Sequence, residues 1–253
     1  MSERDVVLSQ LVAMSRQVGE PDADCVILGE GNTSARVDAE SFWVKASGAQ
    51  IPGIDETGFV QVSFAAVREM LARESMTDDE VRDGLTAAAV DGGGRRPSVE
   101  TFFHAALLEL GGVNFIAHTH PTPINALLCS QEAEQAIAGR LFPDEVVYCG
   151  PESAWVPYTD PGLPLARAVR GSAEAFIEKW NMPPRVMMIQ NHGMIALGAT
   201  PEEVLAATIT AVKAARVRLG AMSCGGIRPL PPEHLERIFT RPDEKYRQER
   251  LGG

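Results

Sequence analysis

Four cysteines in 253 residues, with no Cys-x-x-Cys spacing, leave no disulfide framework to read. Cys25 and Cys129 lie in apolar segments, so these two, Cys149 and Cys224 are expected to be reduced thiols. Positive charge is also short. Lys and Arg number 23 against 34 Asp and Glu, for a formal net charge of -11 and a pI near 5.0. A chain this acidic lacks the basic footprint that phosphate backbones require, which argues against a nucleic-acid partner and requires any anionic ligand to be held by local groups. No apolar run approaches a membrane span, and the chain opens on Ser2, Glu3, Arg4 and Asp5 instead of a basic and then apolar leader. The expectation is a cytoplasmic protein with no membrane partner. Repeats and shifts of composition are missing too. With 45% hydrophobic residues, the chain reads as one domain over 1–253, with a core of about 8–219 and a tail over 220–253.

Histidine is scarce as well, with five in all, but three of the five are placed as metal ligands would be. His118 and His120 close an apolar strand in the run His-Thr-His-Pro, and strand residues two apart point to the same side, so both imidazoles can grip one ion. His192, in Gln-Asn-His-Gly-Met, sits on a polar turn between two apolar stretches, 186–189 and 194–197, and completes an open three-imidazole site for a divalent metal.

Around these residues, helical patterns alternate with short apolar strands. Val6, Leu8, Leu11, Val12 and Met14 give a helical face; 25–28 reads as a strand followed by a turn over 29–34, and 42–46 as another strand ending at Ser47-Gly48. Helices are expected over about 63–73, from Thr77 on a capping box with Glu80, over 162–180, and from Thr200-Pro201 to about Leu219. Strands are expected over 115–120 and 145–148, and a short helix over 124–128. The segment 91–97 carries three glycines and a proline and must be loop; it is either a plain connector or a place where Arg95 and Arg96 meet an anion. Ser98-Val99-Glu100 opens a helix to about Leu110 with Ser98 as its cap. In its first turn Glu100 is either a capping carboxylate or, because the Gly111-Gly112 turn folds this helix back beside the histidine strand, a member of the site. His104, four residues on, either holds that carboxylate or packs. The proline-rich, charged tail from Pro229 is either an arm onto a neighbouring subunit or a loosely attached terminus.

Taken in order, Gly31-Asn32-Thr33-Ser34, Lys45-Ala46-Ser47-Gly48, Ser98-Val99-Glu100 with His104, His118-Thr119-His120-Pro121 and Asn191-His192-Gly193 resemble the class II aldolase and adducin head superfamily, over about 8–219. The wording around Glu100 and His192 is similar to the aldolase domain fused to a short-chain dehydrogenase in rhamnose pathways, and the chain is expected to be a free-standing version. The resemblance implies an α/β/α sandwich around a mainly antiparallel sheet, assembled as a homotetramer with sites between subunits. It implies zinc on His118, His120 and His192, Glu100 as catalytic acid/base, and a substrate pocket from Gly31, Asn32, Ser47, Gly48 and Ser98 for a phosphate or carboxylate. Tyr148, from a neighbouring subunit, is the candidate to protonate a departing aldehyde oxygen. The implied reaction is aldol cleavage of a ketose phosphate or related hydroxy-keto compound through an enediolate. Epimerisation of pentulose phosphates, dehydration of a thiosugar phosphate, decarboxylation and non-catalytic adducin-like binding are the alternatives. Phosphate-specific relatives carry two consecutive serines before the glutamate; here Val99 replaces the second and removes a hydroxyl donor.

Overall fold

Capping chemistry sets where several helices begin. The computed structural model describes residues 2–90 and 94–240. Helix α1 (Glu3–Val18) opens on a reciprocal Ser2–Asp5 box, and strands β1 (Asn32–Arg36), β2 (Ser41–Lys45) and β3 (Phe59–Ser63) follow. Helix α2 (Phe64–Leu71) starts where the Ser63 hydroxyl accepts the Ala66 N–H, and α3 (Asp78–Ala87) on the expected Thr77–Glu80 box. Next come α4 (Thr101–Leu108), β4 (Phe115–Thr119), α5 (Thr122–Leu128), α6 (Ala133–Ile137), α7 (Pro143–Cys149) and β5 (Ala154–Val156). The long α8 (Leu163–Trp180), the hairpin β6 (Val186–Ile189) and β7 (Gly193–Gly198), α9 (Pro201–Ser223) and α10 (Pro232–Thr240) complete the described chain. Among the described residues no helix is long and apolar enough to cross a membrane.

Among the described residues seven strands form one sheet in the order β3-β2-β1-β4-β7-β6-β5, antiparallel everywhere except between β5 and β6. Alternation along each strand divides the core between the two faces. Phe42 and Val44, Ile116, Ile195 and Leu197 meet α2, α3, α4 and α8 on one side, while Trp43, Phe115, Ala117, Met194 and Ala196 meet α1, α5 and α9 on the other. Each face must be covered because each is apolar, and the result is the three-layer α/β/α arrangement with a mainly antiparallel sheet.

Two expected strands are not strands. Residues 25–28 are irregular: Leu28 adopts φ +51, Ile27 and Leu28 stand 65% and 71% exposed, and the Cys25 carbonyl accepts one N–H, from His120, in place of a ladder. Residues 145–148 lie in helix α7, which starts with Pro143 in its first turn and with Asp144 and Glu145 behind it. Those helix-start residues outweigh the β-branched pair Val146-Val147. Tyr148 is therefore a half-buried helical side chain. The turn expected over 29–34 gives way to strand β1 from Asn32. Helix α4 begins three residues after Ser98, whose hydroxyl accepts the Glu100 N–H at 3.3 Å, while Glu100 itself occupies the cap position without a side-chain cap bond. In the 91–97 loop, residues 91–93 lie outside the described set, but Pro97 bridges to Ala46, and Ser47 N–H donates to the Arg96 carbonyl, so its end is fastened to β2. The tail carries a helix, α10, packed on α7; 241–253 lie outside the described residues.

Candidate metal centre and the cavity beside it

Sheet register assembles the site. His118 lies opposite Asn32 of β1 on one side and Ile195 of β7 on the other, at the end of the strand pair where the chain leaves the sheet. His120 follows just past β4, and the β6–β7 turn brings in His192 after Asn191, whose φ of +53 is a left-handed conformation that asparagine tolerates. Two glycines keep the approach open. A Cβ on Gly31, at φ +65, would stand 2.6 Å from the His118 carbonyl oxygen, and one on Gly193 would strike the Thr119 carbonyl and the His120 ring.

The three imidazoles converge by their Nε2 atoms. His120 Nε2 lies 3.0 Å and His192 Nε2 3.3 Å from His118 Nε2, with ring centroids 4.8 to 5.0 Å apart. His118 Nδ1 donates to the Met194 carbonyl at 2.9 Å, which fixes its tautomer and leaves Nε2 as a lone pair aimed at the other two rings. Burial depresses the pKa of His118 and His120, the latter to about 4, so both are neutral near pH 7, as metal ligation requires. Such a set of convergent nitrogen ligands, all within 4.8 Å of one another, suits a divalent transition metal, and it is the group of three found among the described residues.

Glu100 faces this cluster. Its Oε1 lies 3.2 Å from His192 Nε2 and its Oε2 3.5 Å from His118 Nε2, and the Asn32 amide donates to Oε2 at 2.5 Å. Burial pushes the carboxyl up, while the hydrogen bonds from His192 and the Asn32 amide pull it down, and Glu100 stays below the usual carboxylate range. Of the two sequence-level options for Glu100, the structure places it at the imidazoles.

Beside the cluster opens a cavity of about 450 Å³, lined by all five expected pocket residues, Gly31, Asn32, Ser47, Gly48 and Ser98, together with Glu100 and His120. Val99 lines it too and is 42% exposed. Tyr148 does not line it. Arg96, one of the two loop arginines, does, and so do three residues to which the sequence assigned no role, Lys45, Asp78 and Arg82. Lys45, 3% exposed, donates from Nζ to the carbonyls of Ala49 at 2.6 Å and Gly29 at 3.3 Å, and burial lowers its pKa despite the nearby Glu100 charge. A lysine closing an otherwise apolar strand was the available signal. Arg96 donates to the Ser47 hydroxyl at 3.2 Å, and Arg82 and Asp78 reach the cavity from α3. No short-range pattern announces α3 there, because its arrival depends on packing.

Known proteins agree with this architecture. The family model described as the class II aldolase and adducin N-terminal domain matches residues 9–219. A curated protein of Bacillus subtilis (strain 168), described as the uncharacterized oxidoreductase YuxG, is 28% identical over 248 residues, covering 92% of this chain and 33% of that protein; the chain thus spans about a third of its length. Among solved structures, the N-terminal class II aldolase domain of a conserved protein from Thermoplasma acidophilum aligns with a TM-score of 0.69 at 25% identity, over 87% of this chain and 99% of that one. An L-fuculose 1-phosphate aldolase shares the fold with a TM-score of 0.69 at 19% identity, over 98% of this chain and 100% of that one. The matched span runs from α1 through most of α9 and takes in all three histidines, Glu100 and the cavity lining, and by that match the chain belongs to the class II aldolase and adducin N-terminal domain family.

Proposed function

We propose that the protein is a zinc-dependent aldehyde-lyase of the class II aldolase kind, cleaving a ketose phosphate or a related hydroxy-keto substrate. The observation that carries this reading is the convergence of three imidazole nitrogens with a carboxylate set against them beside a cavity lined by polar groups. His118, His120 and His192 would hold the zinc. When bound, zinc supplies Lewis-acid stabilisation of the negative charge that develops on a carbonyl oxygen as a neighbouring carbon–carbon bond breaks. Glu100 exchanges the proton at the substrate carbon, from a position fixed by Asn32. The Gly31 and Gly48 turns with Asn32, Ser47 and Ser98 hold the anionic end of the substrate, and the Lys45 ammonium adds positive charge beneath them. Tyr148, which lies outside the cavity of its own chain, would act from a neighbouring copy in a cytoplasmic homotetramer.

Elemental analysis of purified protein should give one zinc per chain, and a folded His118→Ala, His120→Ala double variant should have lost it. Full occupancy in that variant would sink the metal assignment. Aldehyde release from a panel of ketulose 1-phosphates and hydroxy-keto acids, read beside carbon dioxide release and epimer formation, tests the reaction. Turnover confined to either of the latter two would replace cleavage with decarboxylation or epimerisation. Light scattering should give four times the 27.2 kDa chain mass.

A further inference from the structure

Helix α4 reads Thr-Phe-Phe-His-Ala-Ala-Leu-Leu, and every one of its residues is buried. An imidazole in such a helix is costly unless both ring nitrogens are paired, and a leucine or phenylalanine would fill the space without that demand. His104 is 0% exposed, stacked on Phe103, and both nitrogens are paired: Nδ1 lies 2.6 Å from the Ser34 hydroxyl and Nε2 meets the Asn32 side-chain oxygen. Asn32 and Ser34 are two apart on β1 and so share the face turned to α4. Asn32 in turn donates to Glu100.

Only one arrangement of protons satisfies this chain. A carboxylate accepts and cannot donate, so Asn32 must turn its NH₂ to Glu100 and its carbonyl oxygen to His104. His104, neutral because burial pulls its pKa to about 3, has a single N–H, which must then be on Nε2. Nδ1 is left as an acceptor, and the Ser34 hydroxyl donates to it. We propose that Ser34, His104 and Asn32 form a one-directional hydrogen-bond relay that aims the Asn32 amide at Glu100 Oε2 and so holds this carboxylate against the three imidazoles. Ser34 and His104 are positioning residues, since neither lines the cavity. With His104 unable to donate, the Asn32 amide could turn over, present its oxygen to Glu100 and push the carboxylate away.

This inference rests on the proton-transfer role given to Glu100, but its first test does not. Long-range proton–nitrogen NMR on the metal-free protein should show His104 protonated on Nε2 with Nδ1 bare. A proton on Nδ1 overturns the relay whatever the enzyme does. The second test compares His104→Leu, which fills the space without a donor, with His104→Gln, whose amide can donate to Asn32 and accept from Ser34. On the substrate turned over fastest in the panel, His104→Leu should lower kcat at least tenfold with KM and zinc content within twofold of the parent, and His104→Gln should recover most of that loss. Equal kcat for parent and a folded His104→Leu, or equal loss in the two variants, overturns the proposal. Should His104→Leu fail to fold, Ser34→Ala takes its place and should show a smaller fall in kcat, with unchanged kcat counting against the relay.

Discussion

Among the described residues, a buried cluster between α7 and α9 and the one at the end of β4 are built on opposite plans. Between α7 and α9, Arg140 and Arg218 close on Glu145, with all three side chains 3% exposed. Arg140 donates to the carbonyls of Gly150 and Cys149, Arg218 to those of Ala136, Ala138 and Gly139, and the Leu141 N–H donates to the second Glu145 oxygen. Donors are matched to acceptors there, and the space beside them holds about 10 Å³. At the end of β4 the reverse holds. Imidazole nitrogens point at one another, a carboxylate faces them, and about 450 Å³ of cavity lies alongside. A closed network of matched charges fixes where helices sit, whereas convergent donors beside open space are equipped to take up something from outside.

Variants that break one cluster and spare the other sharpen this contrast. The largest effect expected is on Glu100→Gln, which keeps the shape and removes the proton-accepting charge: turnover should fall by about a hundredfold or more, with zinc content and melting temperature nearly unchanged. Normal turnover would take Glu100 out of the chemistry. Glu145→Ala should do the opposite. It strands two guanidinium groups in the core at a cost of about 3–5 kcal/mol, which thermal unfolding would register as a drop of roughly 10 °C, while metal still binds to the folded fraction. An unchanged melting curve would mean that water replaces the carboxylate there. Lys45→Met keeps length and volume but removes the cation beneath the cavity, so inhibition by inorganic phosphate should weaken by about tenfold, the loss of one charge-assisted hydrogen bond. Equal phosphate affinity in the two proteins would reduce Lys45 to a tie between the Gly29 and Ala49 carbonyls. Tyr148→Phe ranks last: a supporting proton donor from a neighbouring copy should matter by roughly tenfold at most. Steady-state rates identical to the parent's would assign Tyr148 to packing alone.

Arg95 and Arg96 illustrate how far local pattern reaches. Their loop was legible as loop, and the three glycines before them favoured a plain connector over an anion contact. The structure separates them: Arg96 turns to Ser47 at the cavity, whereas Arg95 turns to the Thr57 carbonyl. His104 divides in the same way. Its spacing from Glu100 allowed a direct hold on the carboxylate or simple packing; the structure shows it packed on Phe103 and linked to the carboxylate only through Asn32, which stands between the two.

By itself the sequence determined the features that depend on near neighbours in the chain. Ser63, Thr77 and Thr200 capped their helices because a side-chain oxygen satisfies the N–H group three residues away. His118 and His120 shared a direction because strands repeat every two residues, and the surrounding motifs carried the family. Tertiary structure alone decided the rest. Residues 25–28 carry strand-forming side chains but found no ladder to join. The register that sets Asn32 opposite His118, and with it the chain from Ser34 to Glu100, joins residues about seventy apart. Hydrogen bonds and ion pairs act over a few ångströms of space, and only packing of the sheet against α4 brings such distant residues within that range.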